Sequence, residues 1–155
     1  MLEFRLWNRA LTTAEMNSYR QKQLRGSALG LLDNYPLNES DGNYSYNRAA
    51  GGSDMVLYGH TWKIPNGIGM KLDSETGFRM ESNVFNRFAH EDYTLLFKIR
   101  TTSDNGTLLA NGRATTEDGA KSHFRFYTEK GLLNLNLSGL NVNSQKGAND
   151  GQWHQ

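Results

Sequence analysis

The sequence predicts an all-β protein, an antiparallel β-sandwich with one short N-terminal surface helix. Three observations carry that expectation. Tyr93, Leu95, Phe97 and Ile99 alternate with Thr94, Leu96, Lys98 and Arg100, and a period of two puts the odd positions on one face of a strand. Leu96 alone breaks the pattern. Asp104-Asn105-Gly106 then supplies a tight turn and Thr107–Ala110 a returning strand, making a hairpin at the expected centre of the fold. Finally, sixteen glycines against two prolines, set between many short apolar segments, suit a turn-rich β-protein.

Residues 2–7 alternate as well, with Leu2, Phe4 and Leu6 on one face and Glu3, Arg5 and Trp7 on the other. Trp7 reads either as core beneath the helix or as an interface residue. Thr12-Thr13-Ala14-Glu15 has the form of a capping box, so a helix is expected from there to about Leu24, with Gly26 as the stop. Its apolar residues Ala14, Met16 and Tyr19 make a thin stripe, as in a helix lying on a surface. Leu31–Leu37 is the next strand, and Pro36 marks an edge or a strand end. Residues 38–53 read as a long polar loop. Met55–Tyr58 and Gly69–Leu72 are short strands around a turn at 62–67, and Phe78–Met80 is another. Beyond the central hairpin, Ser122–Thr128 and Leu132–Leu137 pair across Glu129-Lys130-Gly131, and Asn149-Asp150-Gly151 turns into a strand at 152–155.

A chain of 155 residues can build one full domain with a core of its own. Its net charge of +1, with no run of like charges, gives nucleic acid or an anionic membrane no electrostatic claim. The absence of cysteine excludes a disulfide scaffold, a thiolate metal site and a cysteine nucleophile. No apolar run is long enough to span a bilayer, and Leu2-Glu3-Phe4-Arg5 is already alternating and charged, unlike a secretory leader.

Several segments, in their order and spacing, resemble the first part of a laminin G-like, concanavalin A-type (pentraxin-like) jelly-roll domain. They are LLDNYPLNESDG at 31–42, TWKIPNGIGMKLD at 61–73, DYTLLFKIRTTSDNGTLLANG at 92–112, HFRFYTEKGLLNLNLSG at 123–139 and NDGQWH at 149–154. LEFRLWNRALTTAEMNSYR at 2–20 looks instead like the closing strand and helix of such a domain. The resemblance therefore implies a junction: residues 1–25 as the tail of a preceding repeat, and 26–155 as the N-terminal part of the next, cut short at its C-terminus. Because first and last strands are neighbours in that family, residues 2–7 could still pair near 31–37 within this chain, the alternative to the junction. It further implies a secreted or cell-surface protein, its leader lying outside this chain, with neighbouring domains along the same polypeptide. The cysteine-free composition points to a bacterial source.

Glycan hydrolases of this fold need two carboxylates on one strand, spaced as Glu-x-Asp-x-x-Glu, and no such cluster occurs. His60, His90, His123 and His154 have no metal-ligand spacing. The expected protein is thus non-catalytic, binding a glycan or an extracellular protein through loops at the sandwich rim, with a pure spacer and a hydrolase remnant as alternatives. Sugar recognition calls for an exposed aromatic platform flanked by hydrogen-bonding groups. Tyr44, Tyr46, Asn43, Arg48 and Trp62 are the candidates, with a packing role as the competing reading for Trp62. Calcium, which the resemblance also implies, takes hard oxygen ligands from loops. Asp41 and Asp118 are its candidates, because Asp104 and Asp150 sit in ordinary turn-forming triplets. The Asn-x-Ser/Thr triplets at Asn38, Asn43, Asn105 and Asn136 are what an Asn- and Ser-rich chain produces by composition.

Overall fold

The computed structural model describes residues 3–58, 61–64, 67–71, 77–80, 92–111, 124–137 and 140–155. Among them stand thirteen strands and one helix. The protein is all-β, built from antiparallel sheets with a single short helix, the sandwich class expected. It divides into two compact units, one on residues up to 83 with 91–99, the other on 100–154.

The first unit is organised around β1 (Glu3–Trp7). This strand pairs antiparallel on one edge with β2 (Leu31–Tyr35) and on the other with β8 (Thr94–Arg100). The register sets Phe4 against Tyr35 and Phe97, and Arg5 against Asn34 and Leu96. Residues 3–7 therefore lie inside a sheet of this chain, bonded on both edges. Both faces of β1 are covered, because Phe4, Arg5, Leu6 and Trp7 are all buried. The single buried face expected for 93–100 gives way for the same reason. Leu96, the residue that broke the alternation, is 6% exposed and packs with Trp7, Leu11, Leu31 and Ala49.

What covers that second face is α1 (Thr13–Arg20). The expected capping box is present: Glu15 N–H donates to Thr12 Oγ1 (3.2 Å), and Thr12 N–H donates to Glu15 Oε2 (2.9 Å). Met16, Tyr19, Leu24 and Ala28 lie against the Trp7 cluster, and Tyr19 stacks on Trp7 with ring centroids 5.6 Å apart. The helix ends at Arg20, short of the expected Leu24. Arg5, rising from β1, donates Nη1 to Tyr19 C=O (2.6 Å) and Nη2 to Lys22 C=O (2.7 Å). A side chain thus satisfies the carbonyls that another helical turn would have used.

The rest of the first unit comprises a three-stranded sheet and a hairpin. The sheet is β3 (Tyr44–Ser45), β4 (Met55–Tyr58) and β7 (Gly77–Met80), in the order β3-β4-β7. The hairpin pairs β5 (Thr61–Ile64) with β6 (Gly67–Lys71). Two expectations change here. The loop 38–53 contains a short strand, and the start of the 62–67 turn is strand, extended ahead of Pro65 as residues before proline tend to be.

The second unit holds a four-stranded meander: β9 (Gly106–Asn111), β10 (Phe124–Glu129), β11 (Leu132–Leu137) and β12 (Leu140–Gly147), in the order β12-β11-β10-β9. The hairpin expected across Asp104-Asn105-Gly106 does not form: β9 pairs with β10, whereas β8 gives its edge to β1, so the two strands belong to different sheets. Lys130 and Gly131 both take positive φ (51° and 77°), as the two-residue hairpin turn joining β10 to β11 requires. A last short strand, β13 (Trp153–His154), follows the 149–151 turn. Trp153 is half-buried, with the Arg100 guanidinium 5.4 Å from its ring centroid. Asp150 serves its own turn, and Asp104 reaches across to the same one. Asp104 Oδ1 accepts from Asn149 Nδ2 (2.7 Å), and Asp150 Oδ1 accepts from Gln152 N–H (2.8 Å) and meets His154 Nε2 (2.8 Å).

Candidate functional site

Residues 38–48 fold into a loop whose outer surface encloses a hollow of roughly 350 Å³, and five of the seven residues expected to form a site line it. Asp41, Asn43, Tyr44, Tyr46 and Arg48 stand round this hollow with Asn38 and Glu39. Strand geometry explains the tyrosines. Tyr44 and Tyr46 are two residues apart and project to the same side, while Ser45 between them is fully buried. Each ring is 51% exposed.

Four interactions fix the loop. Ser45 Oγ donates to the Glu39 carboxylate (3.0 Å), and Tyr46 N–H donates to the same group (2.9 Å). Leu57 N–H donates to Asn43 C=O (2.9 Å), tying the loop to β4. From the interior side, Trp62 Nε1–H donates to Gly42 C=O (2.8 Å). Trp62 is 7% exposed, so its ring supports the loop and offers no platform to a ligand, in line with the packing reading of this residue. Glu39, which holds the two tyrosines in place, was not singled out in the sequence. Nothing in the spacing of Glu39 to Tyr46 marks it.

The donor set for calcium is sparse. Glu39 is committed to Ser45 and Tyr46, which leaves Asp41 as the one carboxylate of the hollow without a hydrogen bond, for an ion that takes six to eight oxygens. Among the described residues no three His, Asp or Glu side chains come together as a metal site. Asp118 lies outside the described residues. Among the described residues, too, no helix is long and apolar enough to cross a membrane.

Behind the loop sits a buried polar network. Asp33, 1% exposed, accepts from Asn47 Nδ2 (2.7 Å) through Oδ1, while its Oδ2 has no partner. Tyr35 Oη donates to Ser53 C=O (2.5 Å), and Asn47 Oδ1 accepts from Asn34 N–H (3.0 Å) and Ala49 N–H (2.9 Å). Asn47 is the hub, because it ties β2 to the loop that carries Arg48. With no cation beside it, burial pushes the Asp33 carboxyl above its ordinary range, and the same burial raises the Tyr35 phenol. A carboxyl raised on folding contributes stability that is complete at low pH and is lost as pH rises through its folded-state value. Asp33→Asn removes that dependence. Its melting temperature relative to the parent should therefore rise between about pH 4 and about pH 7, by on the order of a few degrees. A parallel pair of melting curves across that range would show that Asp33 titrates as it does in the unfolded chain.

No family profile, curated protein or solved structure matches the chain. The site stands on its own geometry: two half-exposed aromatic faces, an amide, a carboxylate and a guanidinium on a braced loop. Such a surface can stack on the apolar face of a sugar ring and hydrogen-bond its hydroxyls.

Proposed function

We propose that this chain is a non-catalytic glycan-binding module, a jelly-roll sandwich of laminin G-like type on a secreted or cell-surface protein. Sugar is held at the 38–48 loop. Tyr44 and Tyr46 carry the stacking, and Asp41, Asn43 and Arg48 carry the hydrogen bonds. The observation behind this reading is the pair of tyrosines, each half exposed beside one hollow while Phe4, Trp7, Tyr35 and Trp62 of the unit are buried; Tyr58 is exposed as well but does not line the hollow. Large aromatics left in water next to convergent polar groups are what a recognition surface needs, and nothing in the packing of this loop requires them there. Because the donor set for calcium is sparse, no contact in the proposal runs through a metal.

A polysaccharide panel tests it, with calcium and with chelator. Tyr44→Ala and Tyr46→Ala should each weaken the retained glycan about tenfold, while leaving the melting temperature unchanged, since both side chains are half in solvent. Binding that survives both substitutions, or silence across the panel, would favour a spacer. A released oligosaccharide would overturn the non-catalytic part.

A further inference from the structure

A second hollow of the first unit, of roughly 470 Å³, is lined by six basic side chains, Arg5, Arg20, Lys22, Arg25, Arg48 and Lys98, with Glu3 as its one carboxylate. The whole chain has seventeen Lys and Arg against sixteen Asp and Glu. The excess here is therefore a local segregation of charge, made by residues far apart in sequence.

The six are not equivalent. Arg5 is buried and spends both terminal nitrogens on main-chain carbonyls and on Glu3. Arg20 gives one long bond of 3.4 Å to Gln155 C=O. Lys22, Arg25 and Arg48 are exposed, and no ion pair among the described residues involves them. Their placement is built into the backbone. Gly26 N–H donates to Arg48 C=O (3.0 Å), Arg48 N–H donates to Asn34 C=O (2.8 Å), and Asn34 Nδ2 donates to Leu24 C=O (2.7 Å). Those bonds gather the segments of Arg25 and Arg48 around the buried Asn34. A concave surface lined by one sign of charge focuses its field outward and raises the local concentration of anions. Guanidinium groups are well matched to carboxylate and sulfate, which they can grip with two parallel hydrogen bonds.

Asn38 and Arg48 line this hollow and the tyrosine hollow alike. We infer that the two form one extended site for an acidic glycan, whose neutral rings lie on Tyr44 and Tyr46 and whose carboxylate or sulfate groups enter the basic hollow. This rests on the glycan reading above and adds the ligand's charge. The hollow's continuity with an aromatic platform is what favours a glycan over other polyanions.

Titration of the full chain with oligogalacturonate, dextran sulfate and dextran tests the inference. At least one acidic probe should bind about tenfold more tightly than neutral dextran. That gap should close when sodium chloride is raised from about 0.05 M to about 0.5 M. Which acidic probe is preferred tells carboxylate from sulfate. Lys22→Glu and Arg25→Glu line the basic hollow alone and are exposed, so they should erase the preference without shifting the melting temperature. Acidic probes that bind no better than dextran, or charge-reversed variants that bind them as tightly as the parent, would overturn it. So would a DNA oligonucleotide that binds as tightly as the better glycan and is lost in the same variants. Dextran binding that depends on Tyr44, with no acidic preference, would remove this inference alone. An acidic preference indifferent to Tyr44→Ala and Tyr46→Ala would remove the platform and leave the basic site.

Discussion

Arg5→Met is expected to destabilise the first unit by about 3–5 kcal/mol, the range for removing one partner of a buried ion pair. Arg5 is 3% exposed and pairs with Glu3, which burial already pushes above its ordinary carboxylate range in spite of the neighbouring guanidinium. Without Arg5 the carboxylate is left in the same place with only the weaker attraction of Lys98, its cross-strand neighbour, to offset burial. The Lys22 carbonyl loses its side-chain donor as well, and the Tyr19 carbonyl keeps only its backbone donor at the end of α1. Adding Glu3→Gln to the variant should recover a measurable part of the loss, since the weakly compensated charge is then gone while the Lys22 carbonyl stays without its side-chain donor. Urea unfolding at neutral pH reads both. A single variant within about 1 kcal/mol of the parent would mean that Arg5 is no more than a surface ion pair.

Trp7→Ala should cost a similar about 3–5 kcal/mol, for a different reason. Trp7 is fully buried, stacks on Tyr19, and is the largest side chain of the cluster formed by Leu11, Leu31, Ala49 and Leu96. Its removal opens a cavity beneath α1. Trp7→Phe keeps an aromatic face for Tyr19 and deletes an indole N–H that has no hydrogen-bond partner, so its cost should be well below that of alanine. Near-ultraviolet dichroism from the Trp7–Tyr19 stack should collapse in the alanine variant. Equal losses in the two variants would point away from cavity formation. Either core change is large beside the about 5–15 kcal/mol that a domain has in hand.

The elements that sequence reasoning located best are those whose signal is local. The Thr12–Glu15 box, the alternation along Glu3–Trp7 and Thr94–Arg100, and the Lys130-Gly131 turn each need only adjacent residues to be understood. What it missed depends on partners far along the chain. β12 is the plainest case. Leu140–Gly147 is polar over most of its length, with Asn141, Asn143, Ser144, Gln145 and Lys146, is almost wholly exposed, and has no clean alternation, and it is a strand because β11 offers it an edge. The helix end is another, since no residue between 20 and 24 announces that Arg5 will take the carbonyls. Leu96 did carry a signal: an apolar residue on the supposed polar face of a strand is what a sheet covered on both sides produces. At the site, the tyrosines and their polar neighbours were legible because they lie within six residues of one another, from Asn43 to Arg48. The basic hollow was not. Its cations are scattered from Arg5 to Lys98 in a chain whose total charge is nearly zero, and only the folded sheet collects them.

The register of β1 also bears on how the molecule assembles. Glu3 pairs with Lys98 and Trp7 with Thr94, so the strand at the middle of its sheet closes one of the longest loops the chain can form. Such closure carries most of its entropic cost before any contact repays it. Refolding of the first unit should therefore be slow beside that of the β9–β12 meander, in which each strand pairs with the next along the chain, and β1 should be among the last elements to become protected from amide exchange.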